Sequence, residues 1–228
     1  MGEIAELPLF PLGTVLFPNQ ALPLHVFEER YKLMIGDCLR GDRIFGVVLI
    51  KQGTEVGAQA IPFEVGTTAR IVGMQPLGQG RMEVQTLGQQ PFRIRQVLQT
   101  TPYLRATVEL LSHERGDDEG LKGLAGRVRE HFVAHLGILA TLTDREAPKF
   151  EVELDPERLS YIVASAMAVE MPEKQRLLEV AAADERLRAE MTILTRENRA
   201  LQTFLYLRDQ AKKEPPQQDS PAWRISKN

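Results

Sequence analysis

A chain of 228 residues with 43% hydrophobic residues can bury a sizeable core, as one large domain or two small ones. Its net charge of −3 gives no overall attraction to nucleic acid or anionic lipid. A single cysteine, Cys38, excludes an intramolecular disulfide, and the acidic start MGEIAE lacks the basic region of a signal peptide. We therefore expect a cytoplasmic protein.

The opening segment, residues 7–27, reads LPLFPLGTVLFPNQALPLHVF and contains no charged residue. Its length and apolarity would suit a membrane span, but prolines at positions 8, 11, 18 and 23 prevent a continuous helix. We interpret the segment as short extended pieces joined by a turn at Pro18-Asn19-Gln20. No membrane insertion is expected.

The rest of the first half has the pattern of short strands. Strands are predicted at residues 43–50, 68–77, 81–87, 92–98 and 103–111. Gly78-Gln79-Gly80 predicts a hairpin between the second and third of them. One helix interrupts the strands, because apolar residues recur there with helical spacing at Tyr31, Met34, Ile35, Cys38 and Leu39.

From Asp117 the apolar period becomes that of helices. Helix starts are predicted at Asp155-Pro156-Glu157 and at Pro172-Glu173, and a long helix at residues 184–210. The predicted fold is therefore α+β. Residues 1–112 form a curled, mostly antiparallel sheet, a PUA-like pseudo-barrel with one embedded helix, residues 117–211 form a helical bundle with a long last helix, and residues 212–228 form a flexible tail.

Ordered segments along the chain resemble the Lon protease N-terminal (substrate-binding) domain family. The opening LPLFPLGTVLFPNQALPLHVFEERYKLMI resembles the start of that family. Further segments follow in the same order, namely residues 43–50 (RIFGVVLI), 66–71 (GTTARI), 88–94 (GQQPFRI), 103–106 (YLRA), 159–164 (LSYIVA) and 173–179 (EKQRLLE). The resemblance implies a domain that engages polypeptide substrates.

The catalytic parts of a full-length Lon protease have no counterpart here. The sequence contains no G-x-x-x-x-G-K-[ST] motif for nucleotide phosphates, no G-x-S-x-G elbow and no Ser-Lys protease domain. We therefore expect a non-catalytic, stand-alone module without a cofactor. Its expected partners are unfolded or degron-bearing polypeptides, with a protease to which it delivers them or with which it competes.

Candidate contact residues lie in the opening segment. Most of its apolar residues suit a core, but its prolines and the bend at residues 17–22 cannot all pair into a sheet. Part of the segment should therefore line an exposed apolar groove that accepts extended peptide. The candidate contact residues are Phe17, Pro18, Leu22, Pro23, His25 and Phe27.

An RNA-binding module of the PUA-like type is the alternative function. Arg93 and Arg95 lie two residues apart on a predicted strand and share a face, with Arg70 and Arg105 on neighbouring strands. Acidic residues on the same sheet balance these charges, and no aromatic residues alternate with them. We favour polypeptide binding over RNA binding.

A pair of histidines gives the best metal-site candidate. His131 and His135 lie four residues apart on one helix face, but Phe132 stands where H-E-x-x-H requires glutamate. Two ligands rarely hold a metal. We therefore expect no metal site.

The last helix carries the spacing of a coiled-coil seam. Leu187, Met191, Leu194, Asn198, Leu201 and Leu205 step by alternating intervals of four and three residues, and Arg208 occupies the next turn. This stripe can pack on the chain's own helices near residues 121–139 and 156–169, or form a parallel dimer in which Asn198 fixes the register. We favour the monomer because the seam is short.

Overall fold

The computed structural model describes residues 2–55, 60–111, 118–147 and 155–213. Its elements are β1 (Ile4–Leu12), β2 (Ala21–Val26), α1 (Glu29–Arg40), β3 (Ile44–Gln52), β4 (Ile61–Gly78), β5 (Arg81–Gln99), β6 (Leu104–Leu110), α2 (Asp118–Thr143), α3 (Pro156–Ala166), α4 (Met171–Glu179) and α5 (Ala183–Lys213). The α+β prediction is confirmed. All strands precede α2, as the change of period near Asp117 indicated, while the division into subdomains at residues 112 and 117 stays a prediction. The tail beyond residue 213 lies outside the described residues.

The strands form one sheet that closes on itself. Their order is β2-β5-β4-β3-β1-β6, and β5 also pairs with β6. Five of the pairs are antiparallel, whereas β1 and β3 run parallel, with Leu9 beside Gly46. The prediction of a mostly antiparallel sheet is thus confirmed. The one parallel pair arises because α1 forms part of a crossover that returns the chain to the end where β1 began.

The long strand β5 makes this closure possible. Its first part pairs with β2 and its last part with β6, while β4 lies along both parts. The predicted hairpin joins β4 to β5, with Gln79 at φ 52° and Gly80 at φ 69°. Positive φ at both central residues is typical of a two-residue turn whose twist matches that of the strands.

The opening segment is part of the core. Phe17 is fully buried, and its ring centroid lies 6.4 Å from that of Tyr161 on α3. The predicted turn is confirmed, since the Gln20 N–H donates to the Phe17 carbonyl at 3.2 Å. One apolar cluster contains Phe17, Leu49 and Val65 together with residues of α2, α3, α4 and α5. The barrel and the helices therefore share a core.

The turn at residues 17–20 rests directly on Gly88 of β5. The Gly88 N–H donates to the Gln20 carbonyl at 2.9 Å, and the Asn19 N–H donates to the Gly88 carbonyl at 2.8 Å. A Cβ atom at position 88 would lie 2.2 Å from the Phe17 carbonyl oxygen, closer than packed atoms approach. Only glycine therefore fits between the two backbones.

We expect Gly88→Ala to lower the free energy of unfolding by about 2 kcal/mol, because the turn or β5 must move to admit the methyl group. Urea denaturation followed by far-UV circular dichroism measures this change. Gly123→Ala on α2 is the matched control: nothing lies within 4 Å of its added Cβ. There alanine should stabilise the helix by about 0.5–1 kcal/mol. Equal effects at the two positions would contradict the close approach at Gly88.

The helical half is held by capping and by packing. Asp155 caps α3 as predicted, accepting a hydrogen bond from the Arg158 N–H at 3.1 Å. On α5, Leu187 and Leu194 are fully buried in the shared core, while Leu201 is half-buried. The first part of the predicted seam thus packs on the chain's own helices, and the oligomeric state stays a prediction.

A buried cluster of polar and ionisable groups lies between α3 and α5. The fully buried Arg186 donates from Nε to Ser160 Oγ at 2.8 Å and from Nη1 to the Val180 carbonyl at 2.6 Å. Its guanidinium lies 3.9 Å from the centroid of the Tyr161 ring. Glu190, one turn further along α5, is also buried, and neither carboxylate oxygen has a hydrogen-bond partner among the described residues. Burial raises the pKa of Glu190 well above its usual range, although Arg186 opposes this.

Candidate functional site

The candidate site is an exposed surface of the sheet centred on β2. Side chains of β2 alternate, so that Ala21, Pro23 and His25 are exposed while Leu24 and Val26 are buried. The exposed side chains form one row along the strand. This row includes Pro23 and His25, two of the candidate contact residues predicted in the opening segment.

Strand register extends this row across β5 and β4. Ala21 lies beside Leu87, Pro23 beside Gln85 and His25 beside Glu83 on β5. Leu87 in turn lies beside Arg70 on β4, and Val72 stands at a register shift in β4 with 59% of its surface exposed. We call this surface the outer face; it consists of Ala21, Pro23, His25, Arg70, Val72, Glu83, Gln85 and Leu87.

Strand β2 lies at the open end of the sheet order, and Pro23 limits what can be added there. In an antiparallel pair, the backbone N–H and C=O groups of successive residues point alternately towards the partner strand and away from it. The Gln20 carbonyl accepts a hydrogen bond from Gly88 of β5, so the backbone groups of Ala21, Pro23 and His25 point away from β5. Since the backbone of residue 23 points away from β5, a proline there breaks no hydrogen bond between β2 and β5. Proline has no N–H, so Pro23 also removes one donor from the exposed edge of β2. Strand addition at this edge is therefore disfavoured, and the outer face itself is the better binding surface.

The outer face combines apolar and polar groups without a catalytic arrangement. Its apolar part comprises Ala21, Pro23, Val72 and Leu87, and Phe27, which is 51% exposed, follows directly after β2. The polar part includes a hydrogen bond from Gln85 Nε2 to Glu83 Oε1 at 2.7 Å. Such a surface can cover apolar side chains of a partner and hydrogen-bond to its backbone.

The six predicted contact residues separate into two groups. Phe17 and Pro18 are buried and Leu22 is half-buried, whereas Pro23, His25 and Phe27 are exposed. We expected Phe17 and Pro18 to line an exposed groove, but the turn folds onto Gly88 and Phe17 packs on Tyr161. Phe17 and Pro18 therefore hold the segment in place, and contact by this segment now rests on the exposed group.

Sequence reasoning missed Val72 and Leu87. Both lie within predicted strands, although the strands predicted at residues 81–87 and 92–98 form the single strand β5. Their alternation with buried neighbours could have marked them as exposed. Only the register shows that they share a face with β2.

A second apolar surface lies at the end of the barrel. It is a cavity of about 240 Å³ lined by Pro11, Arg30, Tyr31, Ala60, Ile61, Pro62, Val97, Thr100, Tyr103 and Leu104. The Tyr103 hydroxyl donates to an Asp37 carboxylate oxygen at 2.5 Å. Burial and this hydrogen bond raise the pKa of Tyr103 to about 12, so the phenol remains a neutral donor. The volume suits one large side chain.

The arginines named for RNA contact are partly engaged within the protein. Arg95 forms an ion pair with Glu109, whose pKa it lowers by hydrogen bonding, and Arg105 lies 3.6 Å from Glu6. Arg70 of β4 lies on the outer face and pairs with Leu87 of β5. Arg93 of β5 pairs with Val65 instead, so the register does not bring Arg70 beside Arg93. RNA binding stays a hypothesis.

The two histidines of α2 make different contacts: His135 contacts α5, and His131 contacts the backbone of α2 itself. His135 is buried, with Nδ1 2.8 Å from Asn198 Oδ1, and His131 Nδ1 lies 3.0 Å from the Arg127 carbonyl oxygen. Asn198 also donates to the His131 carbonyl at 3.1 Å. Among the described residues, no group of three or more His, Cys, Asp or Glu could hold a metal ion.

Comparison with known proteins places this fold in a family. Residues 6–196 match the model of the ATP-dependent protease La (LON) substrate-binding domain, so the chain belongs to this family. It is similar to Lon protease 1 of Herpetosiphon aurantiacus, with 27% identity over 93% of this chain and 26% of that protein. The Lon protease of Brevibacillus choshinensis is 27% identical over 94% of this chain and 28% of its own length. The chain thus spans about a quarter of the curated relatives that it matches.

Solved structures share the fold. A Lon N-terminal domain protein from Xanthomonas campestris superposes with a TM-score of 0.60 at 24% identity, over 81% of this chain and 95% of that one. The N-terminal domain of a Mycobacterium avium complex Lon protease gives a TM-score of 0.63 at 16% identity, over 84% and 98%. Within the described part of the chain, none of the helices has the length and apolarity that a membrane crossing requires.

Proposed function

We propose that this chain binds unfolded polypeptides through the outer face and Phe27, without catalysing a reaction. The observation that carries the proposal is the row of exposed apolar residues that register assembles from β2, β4 and β5. The chain also belongs to a substrate-binding family. An exposed row of apolar side chains can bind apolar side chains of a polypeptide, which is the role that the name of this family describes.

The chemistry of the outer face fits an unfolded client. Unfolded chains expose apolar side chains and unpaired backbone groups together, and the outer face presents Pro23, Val72 and Leu87 beside polar Gln85. A shallow, mixed surface tolerates many sequences and binds each of them weakly. We expect dissociation constants on the order of 10 μM.

The chemistry of the single cysteine agrees with a non-catalytic role. Cys38 is buried in α1, and burial raises the pKa of its thiol to about 11. Such a thiol is protonated at neutral pH and is a poor nucleophile. It would also stay reduced in the cytoplasm, where we place the protein.

We further propose that degron-bearing clients bound here reach an ATP-dependent protease. The curated relatives are Lon proteases, of which this chain spans about a quarter. The outer face would then act as the first point of contact for the client.

Fluorescence anisotropy with a labelled, permanently unfolded protein (reduced and carboxymethylated lactalbumin) tests the proposal. We expect the double variant Phe27→Asp with Leu87→Asp to bind at least tenfold more weakly than wild type, because charges would replace two exposed apolar contacts. Both side chains are exposed, so the free energy of unfolding should change by less than about 1 kcal/mol.

Val133→Asp is the control, because this residue is 44% exposed on α2, outside the outer face. It should bind the client like wild type. Wild-type protein that does not bind the client overturns the proposed function. Equal losses in the control and in the double variant would show that the outer face is not the site.

A further inference from the structure

Helix α5 carries a second apolar stripe that does not belong to its packed face. Ala200, Phe204, Leu207 and Ala211 follow one another at intervals of four, three and four residues and are all exposed. Phe204 is 58% exposed and Leu207 is 59% exposed, which is unusual for large apolar residues spaced as neighbours on one helix. The stripe lies about 120° around the helix axis from the buried Leu187–Leu194 face.

The same line of residues is covered further towards the start of α5. Ile193, seven residues before Ala200, is only 7% exposed and belongs to the shared core. Arg196 then makes an ion pair with Glu173 of α4 at 3.0 Å. Beyond this point none of the described residues covers the stripe. An apolar face that is protected at one end and bare at the other indicates a partner for the bare end.

The order of side chains along the stripe indicates which partner fits. It runs small, large, large, small, so it is the same in both directions. A second copy of α5 lying antiparallel would place Phe204 against Leu207 twice and Ala200 against Ala211 twice. Each large side chain then meets a large one at the centre, and the alanines allow close approach at the ends. We propose that two copies of this chain associate through antiparallel packing of residues 200–211.

The surrounding charges are compatible with this arrangement. In the antiparallel alignment Arg208 comes opposite Thr203 of the second copy, and Asp209 comes opposite Gln202. In a parallel alignment Arg208 would face Arg208, which is repulsive. This interface differs from the parallel seam through Leu187 and Leu194, because those two residues are already buried within the chain.

The size of the stripe sets the expected strength of the dimer. Residues 200–211 span about 17 Å of helix, which is too short to bury the roughly 800 Å² per partner of a stable interface. The dimer should therefore be weak, with a dissociation constant on the order of 100 μM. It would form where the protein is concentrated or where a client brings two copies together.

Sedimentation equilibrium of the full chain, from about 5 to 500 μM, tests this proposal. The average mass of wild type should rise from 25.7 kDa towards twice that value. Phe204→Glu and Leu207→Lys should each weaken association at least tenfold. The double variant should associate again, because glutamate at 204 faces lysine at 207 only in the antiparallel alignment.

Tyr206→Lys is the matched control, since Tyr206 is 64% exposed on the same helix but points away from the stripe. It should associate like wild type. Wild-type protein that stays at 25.7 kDa throughout overturns the proposal. A double variant that remains monomeric overturns the antiparallel alignment, and dissociation by Tyr206→Lys overturns the choice of face. The result does not depend on client binding, which involves residues of the sheet.

Discussion

Replacing Phe17 with alanine is expected to lower the free energy of unfolding by about 3–5 kcal/mol. The side chain is fully buried where the opening segment meets the helices, and its ring packs against that of Tyr161. Truncation leaves a cavity between barrel and helices that neither part can close by itself, because the turn is tied to Gly88 by two backbone hydrogen bonds. Urea denaturation followed by far-UV circular dichroism measures the loss.

Phe27→Ala provides the comparison within the same segment. Phe27 is 51% exposed, so its removal should change the free energy of unfolding by no more than about 0.5 kcal/mol. The two variants delete the same atoms ten residues apart. Similar losses of stability in both would contradict the burial of Phe17.

Replacing Arg186 with methionine is expected to cost about 3 kcal/mol or more in stability. The guanidinium donates hydrogen bonds to Ser160 and to the Val180 carbonyl, and it is the charged neighbour that opposes the raised pKa of Glu190. Without it, Glu190 remains buried with no partner among the described residues for either oxygen. Thermal and urea unfolding of the single variant measure the cost.

The double variant Arg186→Met with Glu190→Leu separates the charge effect from packing. Exchanging buried ionisable groups for apolar residues of similar size is often neutral, so the double variant should lie within about 1.5 kcal/mol of wild type. Glu190→Leu should then partly rescue the stability lost in Arg186→Met. Equal instability of the single and double variants would show that the hydrogen bonds of Arg186, rather than the buried acid, account for the loss.

Local signals were enough to predict most elements of secondary structure. Asp155 before Pro156 marks the observed start of α3, and Gly78-Gln79-Gly80 marks the observed hairpin between β4 and β5. Such signals act over a few residues, since a cap or a turn depends on the groups next to it in the chain. They can therefore be recognised without knowledge of the fold.

Pairing between distant strands could not be predicted in the same way. The parallel neighbours Leu9 and Gly46 are far apart in the sequence, and nothing local to either strand specifies the direction of the other. The outer face also depends on pairing between strands that are distant in the sequence. Ala21 meets Leu87 because β2 pairs antiparallel with the first part of β5, more than 50 residues further along the chain. Alternation predicts which residues point to one side of a strand, whereas the register decides which of them meet.

Three features could be read from the residues alone: the opening segment is extended, it resembles the Lon substrate-binding family, and the last helix carries apolar residues at helical spacing. Packing of the folded chain buries Phe17 and leaves Phe27 exposed. It also covers one face of α5 and leaves the stripe at residues 200–211 exposed. The physical reason is common to both cases. Apolar character gives a side chain its tendency to leave water, but its burial depends on whether a distant part of the chain comes close enough to cover it.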